Sequence, residues 1–459
     1  MNYQQFIDSK RPMAIERGFE PETLPSHLFD HQAACVEHAI RCGSAGTFLD
    51  TGLGKTAVEL EWARQCGEKT NGQALILTPL AVARQIEREG KRFGYRIRVI
   101  RDQSDAGEGI NVCNYDRIDK LDPDAFGAVA LDESSIIKNF TGKTTRALID
   151  AFAGHRFKLS STATPAPNDH MELGNHAEFC GVMASNEMLS MFFINDTSQA
   201  SQAWRLKRHG VDAFWDWMAS WSRMAQKPSD LGFSDDGFEL PPLNVKTIRT
   251  ENAKPVDGGD LFGGHQISAT DMHRIKRATS QARASAAAEL AASDDLPWVL
   301  WVDTDYEADA VLSALRSVSG VAEIRGSQTA EKKESVLESF IDGTTRILIT
   351  KSSLTGFGMN WQHCNRTAFV GRTFSYESWY QAVRRFWRFG QTKPVDCYVI
   401  VAEGEDQISR VISRKENDHS DMKTAMAKAM RRARERRAEV KAAYTPNHQG
   451  ELPQWLCAA

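Results

Sequence analysis

Short, unbroken apolar runs constrain this chain more than any other feature of its sequence. Ala74-Leu-Ile-Leu-Thr78, Ala128-Val-Ala-Leu131 and Trp298-Val-Leu-Trp-Val302 are strand-length and do not alternate apolar with polar residues. A strand that is apolar on both faces must be covered on both faces, and helices do this in a parallel sheet. The stretches between the runs are long enough for such crossover helices. In a first block, strands are expected at 46–50, 74–78, 98–100, 109–112, 128–131 and 157–160, with helices at 55–66 and 81–93. The rhythm resumes with strands at 298–302, 322–324, 346–350, 366–370 and 395–401. Two α/β units of similar size result, which suits a chain of 459 residues, too long for one ordinary domain.

Residues 173–240 break this rhythm and read as a helical insert rich in aromatics, among them Trp204, Phe214, Trp215, Trp217 and Trp221. Such rings can stack on bases, but packing of small helices is the favoured reading. A Gly/Pro-rich stretch at 255–264 reads as a surface loop. The tail at 423–442 is Ala-rich and helical in propensity. It holds Lys423, Lys428, Arg431, Arg432, Arg434, Arg436, Arg437 and Lys441 against Glu435 and Glu439. The expected division is a lead-in at 1–23, a first lobe at 24–172, the insert at 173–240, a second lobe at 241–405 and the basic tail at 406–459. No apolar run reaches the ~18–20 residues of a membrane span, and the first residues do not read as a signal peptide. The eight cysteines show no Cys-x-x-Cys pair and no zinc spacing, which suits reduced thiols in a cytoplasmic protein. The net charge is −4, so contacts to a phosphate backbone must come from local patches.

Gly52-Leu-Gly-Lys-Thr56 follows an expected strand and opens an expected helix, the setting a phosphate-binding loop needs. Glycines let backbone N–H groups wrap the phosphates, and the helix N-terminus adds positive charge. Lys55 would hold the β- and γ-phosphates of ATP, with Gly52, Leu53 and Gly54 as cradle and the Thr56 hydroxyl on Mg²⁺. Leu49 stands where the full form of this loop has its first glycine. The apolar strand at 128–131 runs into Asp132 and Glu133, which puts both carboxylates at the edge where parallel sheets bind ligands. Asp132 would bind Mg²⁺, and Glu133 would position and deprotonate the attacking water. Arg385 and Arg388 are three apart and share one face of a helix. With Phe386, Trp387 and Phe389 interleaved, that helix is not wholly solvated, and the pair can act as arginine fingers across a cleft. Gln32 offers a carboxamide able to read an adenine edge.

In this order the motifs resemble helicase superfamily 2, most closely its SWI/SNF-like branch of DNA translocases and small phage and prophage proteins of that type. Besides the loop and the acid pair, the resemblance rests on Thr78-Pro79, Asn114-Tyr-Asp116, Ser161-Thr-Ala-Thr-Pro-Ala-Pro-Asn168 and Leu240-Pro-Pro-Leu243. It also rests on Arg325-Gly-Ser327, Leu354-Thr-Gly-Phe-Gly-Met-Asn360 and Gln381-Ala-Val-Arg-Arg-Phe-Trp-Arg-Phe-Gly-Gln391. It implies two tandem RecA-like parallel-sheet lobes with a helical insert between them and a basic helical tail. It adds Gly358 and Gln381 to the ATP-binding residues. It implies nucleic-acid phosphate contacts from Thr78, Asn114, Thr164, Ser327 and Thr355. One departure is Ser135, where that branch has histidine.

The function expected is an ATP-dependent motor on DNA, duplex favoured over single-stranded, with RNA the weaker candidate and no membrane partner. A strand-separating helicase uses the same parts. A nucleotide-gated scaffold with little hydrolysis is the rival from another class, and Lys55, Glu133 and Arg388 together argue against it. The tail is expected either as a solvated helix or as an auxiliary phosphate grip and partner site. In it Met426, Met430, Ala433, Val440 and Tyr444 form a stripe that can dock on a lobe.

Overall fold

A computed structural model describes residues 16–79, 82–196, 203–250, 269–355, 361–371, 375–402, 416–417 and 420–432. The first sheet is built from β1 (Ser44–Leu49), β2 (Gln73–Thr78), β3 (Ile97–Val99), β4 (Gly109–Asn114), β5 (Ala128–Asp132) and β6 (Phe157–Ser161). Every expected strand of this block is present within a residue or two of its predicted ends. Its helices include α1 (Asp30–Cys42), α2 (Lys55–Glu68), α3 (Ala83–Arg92), α4 (Lys143–Ala151) and α5 (Leu173–Phe179). The strands are parallel in the order β3-β4-β2-β5-β6-β1, and their buried residues explain the missing alternation.

The aromatic segment is more tightly bound to this lobe than its sequence suggests. After α6 (Ser185–Phe192) comes a small hairpin of β7 (Phe193–Asp196) and β8 (Ala203–Leu206), then α7 (Val211–Trp221) and β9 (Ser222–Ala225). Strand β9 pairs parallel with β1 as the seventh strand of the first sheet. Phe214, Trp215, Trp217 and Trp221 are buried in the same core as that sheet, so they do not face nucleic-acid bases. Removing one such ring would cost about 3–5 kcal/mol.

The second lobe is a six-stranded parallel sheet in the order β10-β15-β14-β11-β13-β12. Its strands are β10 (Leu243–Thr250), β11 (Trp298–Val302), β12 (Val321–Glu323), β13 (Ile347–Lys351), β14 (Arg366–Phe369) and β15 (Val395–Ala402). Strand β10, not marked by an apolar run, is an exposed edge held along its length by β15. The helices are α8 (Ala269–Ala292), α9 (Asp305–Ala314), α10 (Ala330–Ile341), α11 (Ser352–Thr355) and α12 (Tyr376–Val383). Helix α8 approaches the sheet closely because Ala284, Ala287, Ala288 and Ala291 form a small-residue stripe at helical spacing. Its buried Arg283 pairs with Glu307 at 2.8 Å.

Of the tail, the helix over 420–432 lies within the described residues, and the expected docking stripe is real there. Met422, Met426 and Met430 are buried in the first lobe's core. Two basic residues counted toward a phosphate grip are spent inside. Lys423 is buried on Asp50, and Arg432 pairs with Asp212 and Asp216 of α7 at 3.2 and 2.8 Å. Ala433, Val440, Tyr444, the remaining arginines and the 255–264 loop lie outside the described residues. No helix among the described residues is long and apolar enough to cross a membrane.

Candidate active site

The phosphate loop leaves β1 and opens α2. Gly52 (φ +96°) and Gly54 (φ +82°) take left-handed conformations that side chains resist. Space opposes them as well: a Cβ on Gly52 would sit 2.9 Å from the Phe389 backbone nitrogen, and one on Gly54 would sit 2.1 Å from the Gln32 amide nitrogen and force it off the Leu53 carbonyl. Lys55 folds back to donate to the Leu49 carbonyl at 3.2 Å, with the half-buried Thr56 beside it. Gln32 clamps the loop. Its Nε2 donates to the Leu53 carbonyl at 3.1 Å, and its Oε1 accepts from the Phe29 backbone N–H at 3.1 Å.

The acid pair closes β5 as expected. Asp132 is buried, and its Oδ2 accepts from the Thr78 hydroxyl at 2.7 Å. Burial, then the Glu133 charge, push the Asp132 carboxyl up to about 7, with Thr78 and Lys55 opposing. Glu133 sits at φ 52°, ψ 49°, the one left-handed non-glycine residue among the described residues. Its Oε2 accepts from the Thr162 hydroxyl at 3.3 Å. Such a backbone costs about 1–3 kcal/mol and persists where the surroundings enforce it, typically at functional sites.

On the second lobe α12 ends at Val383, so Arg385 and Arg388 lie in the turns that follow it and not on one face of a helix as expected. Gln381 and Arg385 are buried, Arg388 is half-buried, and Arg385 Nε donates to the Gln381 carbonyl at 3.1 Å. Burial lowers the Arg385 guanidinium to about 10, with the Glu133 charge resisting. Burial also lowers that of Arg388, with Glu89 of the first lobe resisting. Both amide atoms of Gln381 and the Nε of Arg388 are buried without a hydrogen-bond partner. Gln391 secures the turn by donating to the Gln362 carbonyl at 3.0 Å, and Trp387 by donating to the Pro241 carbonyl at 2.6 Å.

Several residues of this region carry no motif signal. Asp50, just before the loop, is a buried hub between lobes. Arg384 reaches it at 2.6 Å, Lys423 of the C-terminal helix at 3.3 Å, and the Tyr380 hydroxyl donates to it. Burial alone would raise its carboxyl, but Arg384, Lys423 and the hydrogen bonds hold it well below the usual carboxylate range. Lys138 and Glu377 form a second ion pair between lobes, and Ala163 packs into the second lobe's apolar cluster. His176 stands behind Ser134-Ser135: its Nδ1 accepts from Ser160 at 2.7 Å, and its Nε2 donates to the Pro165 carbonyl at 2.8 Å. Burial brings its pKa down to about 4, so the ring is neutral, which this pairing requires. Sequence order hides these groups because their partners lie far along the chain. An acid directly before the loop and three arginines in one turn were the available signals.

The structure sets the loop and the acid pair of the first lobe against the arginine segment of the second: the Glu133 charge acts on Arg385, Gly52 lies against Phe389, and Arg384 pairs with Asp50. It revises the expected track contacts. Thr78 and Thr164 are fully buried, and Thr78 is spent on Asp132, so neither hydroxyl faces a backbone at the surface. Asn114 is half-buried and caps the turn at Asp116, while Ser327 is exposed. Thr355 ends α11, and Gly358 lies outside the described residues. The cradle, the lysine and the partnerless Gln381 and Arg388 atoms fit a nucleotide triphosphate. Among the described residues no three His, Cys, Asp or Glu side chains converge to chelate a metal alone.

No curated protein matches the chain in sequence. The SWI2/SNF2 ATPase core of Sulfolobus solfataricus, solved in complex with double-stranded DNA, aligns at TM-score 0.40 and 15% identity over 90% of this chain and 96% of that one. Residues 292–390, from the end of α8 to the turn that carries the arginines, match the model of the helicase conserved C-terminal domain, and over that part of its second lobe the chain is similar to helicases.

Proposed function

We propose that this chain is an ATP-driven motor of the SWI/SNF-like branch of helicase superfamily 2, hydrolysing ATP in the cleft between its lobes while moving on duplex DNA. The observation that carries the reading is the contact of the segment holding Arg384, Arg385 and Phe389 with Asp50, Gly52 and Glu133 of the other lobe. The helicase-like second lobe supports it. Lys55 and the loop amides would bind the phosphates, and Thr56 and Asp132 would hold Mg²⁺, which would supply charge neutralisation there. Glu133 takes the proton of the attacking water. Arg385 and Arg388 stabilise charge on the transferring phosphoryl group, which links hydrolysis to lobe closure. Phe389 lies against Gly52 of the loop and packs with Phe238 and Phe29, and the exposed parts of this aromatic cluster offer the adenine a surface to stack on. Asn114, Ser327 and Thr355 remain the proposed backbone contacts, positioning without base readout.

The test is the ATP hydrolysis rate measured in parallel with no nucleic acid, single-stranded DNA, duplex DNA and RNA. Stimulation greatest with duplex DNA is expected. A rate indifferent to all four would break the motor reading.

A further inference from the structure

Glu59 sits one turn after Lys55 on α2, so the two share a helix face behind the phosphate loop. It is fully buried; the Ser161 hydroxyl is placed to donate to it, but neither carboxylate oxygen completes a hydrogen bond of ordinary geometry. Asp132, Lys55 and Glu133 are its charged neighbours, and Ser161 Oγ beside it is likewise buried and makes no hydrogen bond of ordinary geometry. Asp132 and Ser161 are register partners on neighbouring strands, so these groups gather at one edge of the sheet. A buried carboxyl without a partner is costly, and an apolar side chain would pack there at no such cost.

We propose that Glu59 is a positioning residue for the divalent cation that accompanies the nucleotide, holding one of the ion's water ligands. The inference rests on the nucleotide-site reading above. Mg²⁺ keeps several waters and takes only one or two protein carboxylates directly, so acids around it act largely through water. One oxygen of Asp132 is already engaged by Thr78, which leaves the metal side of the pocket short of acceptors. The Glu59 carboxyl supplies a further acceptor oxygen, and Ser161 another group able to hold the same water. Partners of this kind orient a metal's ligands without touching the ion.

The experiment titrates Mn²⁺, followed by its electron paramagnetic resonance, into full-length chain saturated with a non-hydrolysable ATP analogue. It compares wild type, Glu59→Gln and Glu59→Met, and takes the thermal midpoint of each nucleotide-free protein. Both variants are expected to bind Mn²⁺ about 10- to 100-fold more weakly, to bind the analogue without metal as wild type does, and to melt no lower than wild type. Unchanged Mn²⁺ affinity in Glu59→Gln would overturn the inference. So would loss of fold in both variants, which would make Glu59 a structural brace. If wild type itself binds no Mn²⁺ with the analogue, the nucleotide-site reading fails, a result distinct from equal binding by wild type and variant.

Discussion

The two walls of the cleft are built on opposite terms. On the first lobe, Thr78 holds Asp132, Thr162 holds Glu133, Lys55 rests on the Leu49 carbonyl and Gln32 is used at both ends. On the second lobe, Gln381 and the Nε of Arg388 are buried with no partner. A buried polar group left unsatisfied costs about 1–3 kcal/mol, and its persistence in a native fold calls for a reason. The contrast teaches a division of labour. The groups beside the loop and the acid pair have their partners in place, while Gln381 and the Nε of Arg388 opposite them, and Glu59 and Ser161 behind them, are left for whatever fills the site.

The sharpest way to break this comparison is on the second wall. Arg385→Ala and Arg388→Ala should each lower ATP turnover by roughly 10²–10⁴-fold with little change in nucleotide affinity, because a finger acts in the transition state. Normal turnover in both, measured at saturating DNA, would mean that the second lobe does not complete the site. On the first wall, Glu133→Gln should leave binding intact and cut turnover by about 10²-fold. Lys55→Ala should weaken both binding and turnover. If Glu133→Gln keeps wild-type turnover, the assignment of the first wall is wrong.

Asp50 joins the walls, and its removal should act on closure. Asp50→Asn leaves Arg384 and Lys423 without their counter-charge, and the lobes can part to return both to water. The expected cost to the closed state is about 1–3 kcal/mol. The sign with pH follows from the carboxyl, which is held below its ordinary value of 3.8 in the folded chain. A depressed acid contributes in full above that ordinary value and loses its contribution as pH falls toward the lower folded one. The gap in thermal midpoint between wild type and Asp50→Asn should therefore be constant from neutral pH down to about pH 4 and shrink below it. A gap that widens on acidification would show that Asp50 is not the charged hub.

How much of this was legible in the sequence depends on whether a residue's partner lies nearby in the chain. The strands at 74–78 and 128–132 announce themselves, because burial on both faces demands an unbroken apolar run. Lys55 and the Asp132–Glu133 pair are legible because strand ends and loops fix them locally. Strand β10 was not, because an exposed edge needs no apolar run, and β9 was masked by the aromatic helix before it. Thr78 shows the limit in the other direction. It ends its strand as expected, but its hydroxyl is spent on an acid 54 residues away, a pairing that only the sheet order creates. Asp50 and Lys423 are 373 residues apart and gave no pattern to read.

The C-terminal helix offers the smallest effect and the finest test, since its two faces repeat the contrast between satisfied and waiting groups. Its inner face is committed: Met422, Met426 and Met430 lie in the core, Lys423 is on Asp50 and Arg432 is on Asp212 and Asp216. Deleting the chain after residue 415 would therefore strip packing from the first lobe, and its effect on DNA binding could not be read apart from that damage. Lys428 and Arg431 are exposed on the other face, so they can be changed without touching the core. If they neutralise phosphates, each contact adds about 0.9 to the slope of log affinity against log salt for duplex DNA. Lys428→Ala with Arg431→Ala should flatten that slope by nearly two, lower duplex affinity at low salt, and leave the thermal midpoint and the DNA-free ATP hydrolysis rate unchanged. The measurement is duplex affinity across a salt series for wild type and the double variant. Equal slopes would confine the helix to bracing the first lobe and holding Asp50. A lowered melting midpoint would mean that the outer face, too, is committed to packing.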